Sequence, residues 1–400
     1  MGRFRFAYIA FIFLLIFLLS CTEEDSPTAM KIDTTLKIDT TGIIDFKDQL
    51  TLETGSEPYS IYASDLDKDG DIDIVAANYE SANISVFLND GLGVFSIDTT
   101  YESESEPTSI FCADLNNDNY SDIVTTNAEP DLVSILFNKG NGTFHTKVSY
   151  SGFSEPFSVI AHDLDSDNDK DLIVSNFYGR NISVLLNDGS GGFTLNKTYQ
   201  TITGSEPLFI SGSDVDGDND IDIIVPNTGT HNISLFRNNG KAFLTKIVEF
   251  DTGINPFSVN SNDLNNDGST DLVIAVYNGI SVLLNDGSGY FEPFEHYGSF
   301  SRPWSVYTVD TDMDDDNDIV VTNTDSDSVS VLLNNGDGLF PEILSFKVGR
   351  SPRSVISCDI DLDGDNDIIV ANTGSDNITI LFNQFLKYEN NQQVNNNIIE

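Results

Sequence analysis

Seven short stretches of the chain alternate carboxylates at a spacing suited to gripping a hard cation. They read DLDKDGDID from Asp65, DLNNDNYSD from Asp114, DLDSDNDKD from Asp163, DVDGDNDID from Asp214, DLNNDGSTD from Asp263, DTDMDDDND from Asp310 and DIDLDGDND from Asp359. Counting the first Asp as position 1, side chains at 1, 3, 5 and 9 and the backbone carbonyl of 7 can converge on one ion. Oxygen-only ligation at that density suits Ca²⁺, which takes six to eight oxygens in a flexible shell. In the first loop these positions are Asp65, Asp67, Asp69, Asp71 and Asp73, and in the second Asp114, Asn116, Asp118, Tyr120 and Asp122. The third has Asp163, Asp165, Asp167, Asp169 and Asp171, and the fourth Asp214, Asp216, Asp218, Asp220 and Asp222. The fifth has Asp263, Asn265, Asp267, Ser269 and Asp271, the sixth Asp310, Asp312, Asp314, Asp316 and Asp318, and the seventh Asp359, Asp361, Asp363, Asp365 and Asp367. Up to seven structural Ca²⁺ ions are the expected cofactor.

Position 6 is Gly70, Asn119, Asn168, Asn219, Gly268, Asp315 or Gly364, residue types that tolerate the left-handed backbone of a tight loop. Acidic turns kept for solubility alone would not need an oxygen ligand at every second residue. An EF-hand needs Glu at position 12 and flanking helices, whereas position 12 here is apolar or Thr, from Ala76 in the first loop to Val370 in the last. Affinity follows ligand charge. Asn116 and Asn265 leave the second and fifth loops with three carboxylates against four elsewhere, so those two loops are expected to be the weakest sites.

The loops start 49, 49, 51, 49, 47 and 49 residues apart, and a proline stands seven residues before each start, from Pro58 to Pro352. Each unit has β character, with apolar runs bounded by Gly, Asn, Asp and Pro. In the first unit strand A is expected near Pro58 to Ser64, B near Ile72 to Tyr79, C near Ile84 to Leu88 and D near Val94 to Thr100. Four short strands per unit make the blade of a β-propeller. The fold class is therefore all-β, a seven-bladed propeller of four antiparallel strands per blade. The seventh unit lacks its D strand after Phe382, and Phe46 lies 12 residues before Pro58 as Phe95 lies 12 before Pro107. The segment from Phe46 to Leu52 is thus expected to pair into the last blade and close the circle, which removes the free edges of an open array.

Lys+Arg 19 against Asp+Glu 64 gives a net charge of -45, which excludes a nucleic-acid partner because phosphate binding needs a basic footprint. Phe 27 and Tyr 14 argue against a disordered acidic chain. So many carboxylates repel one another unless cations neutralise part of the charge. At the amino terminus, Arg3 and Arg5 precede an apolar run from Phe6 to Leu19, too short to span a membrane as a helix. Residues 1–20 are expected to be an export signal. Leu18-Leu19-Ser20-Cys21 resembles the lipobox of bacterial lipoproteins, which makes Cys21 the lipidation site and the lipid the only membrane contact. Residues 21–45 form an acidic and polar linker, 46–388 the propeller and 389–400 a disordered polar tail. Cys112 and Cys358 fall in units that are not neighbours, so free buried thiols are expected.

The Asp loop between strands A and B, with the Asn89-Asp90-Gly91-Leu92-Gly93-Val94-Phe95 turn before strand D, resembles the FG-GAP or VCBS repeat, whose members include the integrin alpha propeller and many bacterial surface proteins. The resemblance covers about 46 to 384, and blade four departs from it at Asn238-Asn239-Gly240-Lys241-Ala242-Phe243. It implies calcium loops on a bottom face, a top face of D-to-A and B-to-C loops where partners dock, and a monomeric propeller. The expected role is adhesion or ligand binding, to protein or carbohydrate, on the surface or outer membrane of an outer-membraned bacterium. Candidate ligand-binding residues are Tyr59, Phe157, Phe257, Trp304 and Arg353 after the repeat prolines, and Tyr178 and Arg180 in a B-to-C loop. The alternatives are a carbohydrate-active lyase or hydrolase, and a structural subunit of an outer-membrane complex. The four histidines, His145, His162, His231 and His296, are scattered over different units, and no nucleophile elbow, phosphate loop or zinc motif is present, so no enzyme activity is expected.

Overall fold

The computed structural model describes residues 44, 46 and 48–384; the expected signal segment, Cys21, most of the linker and the tail from 389 lie outside them. These residues form seven four-stranded antiparallel sheets. In the first blade the strands are Pro58–Ser64, Asp73–Asn78, Asn83–Asn89 and Phe95–Glu102, paired in chain order. The second strand of every blade is buried along its whole length. Its apolar residues on both faces, such as Ile74-Val75-Ala76, follow from a sheet packed between two neighbours.

The core is consequently divided among the spaces between blades. Blades 1 and 2 share Val75, Val86, Ile110 and Ile123, and blades 3 and 4 share Ile173, Val184, Ile223 and Phe236. Blades 7 and 1 share Ile369 and Ile380 with Ile74 and Phe87. The innermost strand of blade 1 packs beside those of blades 2 and 7, so the sheets run round in a ring. Asp48–Glu53 pairs antiparallel with Asn377–Phe382, from Asp48 opposite Phe382 to Glu53 opposite Asn377. It forms the outer strand of the seventh sheet, as the position of Phe46 led us to expect.

The inner strands are tied by a repeated serine two residues after the proline. Ser60 Oγ accepts the Ile110 N–H at 3.3 Å, and Ser109, Ser158, Ser258, Ser305 and Ser354 accept the corresponding N–H of the next blade. Blade 4 has Phe209 at that place, and its N–H donates instead to Phe257 O at 3.3 Å. Its inner strand shortens to Ser211–Ser213. Cys112 and Cys358 are free thiols, one buried and one half-buried.

Phe87 is fully buried in the space between blades 7 and 1, so Phe87→Ala should cost about 3–5 kcal/mol in urea unfolding. Leu92→Ala, at a residue 75% exposed, should stay within about 0.5 kcal/mol; equal costs for the two would contradict a packed seam at the ring's closing point.

Candidate metal centre

Each Asp loop connects the first and second strands of a blade, and its geometry is held by its own carboxylates. The position 1 side chain accepts backbone N–H groups from the loop's far side, as Asp163 does from Ser166 at 2.8 Å and Asn168 at 2.9 Å. The position 5 side chain accepts the position 7 N–H, as Asp69 does from Asp71 at 3.0 Å. Position 6 adopts φ between +67° and +99° in all seven loops, in keeping with its Gly, Asn and Asp. Position 4 is left-handed as well, with Lys68, Ser166, Met313 and Leu362 between +58° and +65°. Nothing in those residue types announced it, and a left-handed Met or Leu holds strain that the loop's other interactions must offset.

Position 9 opens the second strand and is buried in every blade. Asp73 Oδ2 accepts the Leu66 N–H at 2.8 Å, and its Oδ1 accepts the Asn89 N–H at 2.9 Å. The same pair of bonds recurs at Asp122, Asp171, Asp222, Asp271, Asp318 and Asp367. Burial pushes these carboxyls up, to about 7 at Asp73, Asp122, Asp222 and Asp367 and about 6 at Asp171, Asp271 and Asp318, although the backbone bonds pull the other way.

Sequence reasoning missed the side chain of the asparagine at the end of each third strand or one or two residues past it. Asn138 Nδ2 donates to Leu66 O of blade 1 at 2.7 Å and to Ser121 O of its own loop at 2.9 Å. Asn187, Asn238, Asn285, Asn334 and Asn383 likewise reach the position 2 carbonyl of the preceding blade, and Asn89 reaches Ile360 of blade 7 at 2.7 Å. The seven loops are thereby linked in a closed circle. The signal was available as an Asn that recurs with the unit, usually 16 residues after position 9.

The donor set fits a divalent cation on an independent observation. Oδ1 of position 3 is buried with no hydrogen-bond donor at Asp165, Asp216, Asp312 and Asp361, and so is Oδ1 of Asp359. Carboxylate oxygens from positions 1, 3 and 9 lie within 4.8 Å of one another in the first, third, sixth and seventh loops, and from positions 1, 3 and 5 in the fourth. In the second and fifth loops Asn116 and Asn265 stand at position 3, and Asn265 Nδ2 donates to Asp267 at 3.0 Å, which occupies one of the remaining carboxylates. Burial raises Asp312 to about 8, with Asp318 and Asp314 adding to the shift, the response of a carboxyl whose counter-charge is missing.

At the other end of the inner strands, the post-proline residues meet one another. Phe257 stacks on Trp304 at 4.7 Å, Tyr59 meets both Phe157 and Trp304 edge-on at 6.3 Å, and the Arg353 guanidinium lies 4.2 Å from the Tyr59 ring and 4.5 Å from Trp304. Leu208 joins this cluster. Tyr178 and Arg180 stand apart and exposed on the turn of blade 3, and Tyr178 borders a groove of about 480 Å³ with Glu106, Glu129, Asp131 and Glu155.

The FG-GAP-like repeat pattern matches residues 65–125, 114–174, 163–225, 214–274, 263–321 and 310–370. No curated protein matches the chain. Among solved structures it is similar to virginiamycin B lyase from Staphylococcus aureus (TM-score 0.59, 16% identity, 83% of this chain and 98% of that one). It is also similar to an Agrocybe aegerita lectin that recognises non-reducing terminal N-acetylglucosamine (0.51, 18%, 84% and 86%) and to a putative 6-phosphogluconolactonase from Bacteroides uniformis (0.58, 15%, 73% and 85%). At these identities the likeness is one of fold.

A raised carboxyl favours folding while protonated. In metal-stripped protein the contribution of the seven position 9 groups is therefore complete below about pH 4 and lost as pH rises through 6 to 7. The melting temperature of stripped protein should fall from pH 5 to pH 8, and millimolar Ca²⁺ should restore it at pH 8; a stripped protein equally stable at both would contradict this.

Proposed function

The chain belongs to the FG-GAP-like repeat family, and from that premise we propose that it is a calcium-stapled binding module, carried outside the cytoplasm on a lipid at Cys21, that engages a protein or carbohydrate ligand. The observation that carries the calcium half is the buried, donorless Oδ1 at the same position of four loops. The carboxylates of positions 1, 3 and 9 would hold a divalent ion there, which would supply the positive charge they lack. The chain's own residues do the rest: position 9 holds the loop to the sheet, and the asparagines hold each loop to its neighbour.

The binding half is assigned to the opposite face. Tyr178 is 73% exposed and Tyr277 52% exposed, and rigid aromatic side chains offer contact area at small entropic cost. The acids around the groove beside Tyr178 suit a partner that presents hydroxyls or positive charge. The clustered residues Tyr59, Phe257, Trp304 and Arg353 support that face from below.

The test is a screen of glycans and surface proteins with the chain from Thr22 onward, in millimolar Ca²⁺ and again in chelator. A hit lost in chelator and weakened about tenfold or more by Tyr178→Ala, the loss of one aromatic anchor, supports the reading. A hit indifferent to both changes contradicts it.

A further inference from the structure

Arg237 ends the third strand of blade 4, immediately before Asn238. In the other six blades the residue at this place is Leu88, Phe137, Leu186, Leu284, Leu333 or Phe382. Four of those side chains pack against the glycine of the next blade's turn: an added Cβ at Gly142 would meet Leu88, one at Gly191 Phe137, one at Gly338 Leu284 and one at Gly93 Phe382. Blade 4 puts a guanidinium there. Its Nη2 donates to Ser288 O in the turn of blade 5, and its Nε lies 3.2 Å from Asp216 Oδ2. The room comes from Gly289, where a Cβ would stand 2.7 Å from Arg237 Nη2.

Asp216 is position 3 of the fourth loop, so this cation touches a carboxylate that elsewhere is left for a metal. The pair is partly buried, with 30% of the Arg237 side chain and 14% of the Asp216 side chain exposed, which shields it from the full screening of solvent. The fourth is also the loop whose grouped oxygens come from Asp214, Asp216 and Asp218, without the position 9 Asp222. A Ca²⁺ ion on the remaining Asp216 oxygen would sit within roughly 6 Å of the guanidinium, where repulsion between a double and a single positive charge is worth about a factor of ten in affinity even at the dielectric constant of water, about 80.

We propose that Arg237 is the built-in counter-ion of the fourth loop and makes that loop, despite its full set of carboxylates, hold calcium about tenfold more weakly than the first, third, sixth and seventh. The assignment rests on the calcium reading above. It adds a weak site for a reason unlike that of the second and fifth loops, which lack a carboxylate. It also makes blade 4 less dependent on metal than the other blades with a full set of carboxylates, because part of its charge is already balanced within the chain.

Crystals of the protein equilibrated at the free Ca²⁺ concentration that half-fills the first and seventh loops, read by anomalous scattering, separate the outcomes. In the wild type the fourth loop should be about one-tenth filled, as a tenfold weaker site requires. Arg237→Leu, which installs the residue found in four other blades, should bring it to about half, and Arg237→Gln should do the same if the larger apolar change disturbs packing. A fourth loop filled equally with the first in the wild type, or unchanged in both variants, would overturn the assignment. No calcium in any loop at millimolar concentration would overturn the calcium reading and this assignment together. As a second readout, calcium should raise the melting temperature of Arg237→Leu more than that of the wild type; an equal rise would count against the proposal.

Discussion

Everything in this ring hangs on a carboxylate buried where the first and second strands of a blade meet. Asp73 and its six counterparts hold the loop with one oxygen and the third strand with the other. A buried charge is tolerated only when paired or hydrogen-bonded, and two backbone N–H groups do part of that work. They do not neutralise it. With Asp at positions 1 and 5 beside it in all seven loops and a net charge of -45, the fold and the charge gathered at its loops are one electrostatic problem.

The periodic features were readable from sequence because each is a local cause with a local effect. Proline starts the inner strand, alternate carboxylates make the loop, and the missing outer strand of the seventh unit called for one from the amino-terminal side, met by Asp48–Glu53. What sequence could not show is where the partner is a backbone atom of another unit. The bond from Asn138 to Leu66 O spans 72 residues, and a carbonyl has no letter in the sequence. The left-handed backbone at Met313 and Leu362 was hidden for the complementary reason: the loop's hydrogen bonds impose it on residues that would not choose it.

The aromatic residues after the prolines illustrate a third kind of ambiguity. Every inner strand begins near the same axis, so whether its second residue faces a ligand or its own kin depends on the sizes of the others. Thr108 is small and bonds Pro156 O, while Tyr59, Phe157, Phe257 and Trp304 are large enough to meet across the ring. Arg353 fits between Tyr59 and Trp304, a favourable place for a cation over aromatic faces. The centre is thus filled by the chain itself, and the exposed side chains lie farther out, at residues such as Tyr178 and Arg180.

A ring in which each sheet packs mainly on its two neighbours, with contacts across the centre confined to the post-proline residues, tolerates departures one blade at a time. Blade 4 gathers them: Phe209 in place of the linking serine, an inner strand cut to Ser211–Ser213, and Arg237 in place of an apolar side chain. These changes compensate one another along the seam with blade 5. The Ser link to the next inner strand is replaced by the Phe209 bond to Phe257 O, and at the loop end Arg237 bridges Asp216 to Ser288 O. Direct contacts between blades 4 and 5 thus stand at both ends of the seam. A repeat that has put a covalently attached charge where its fellows carry an apolar side chain has kept its place in the ring, and that freedom is what a circular array of near-identical units gives to a single member.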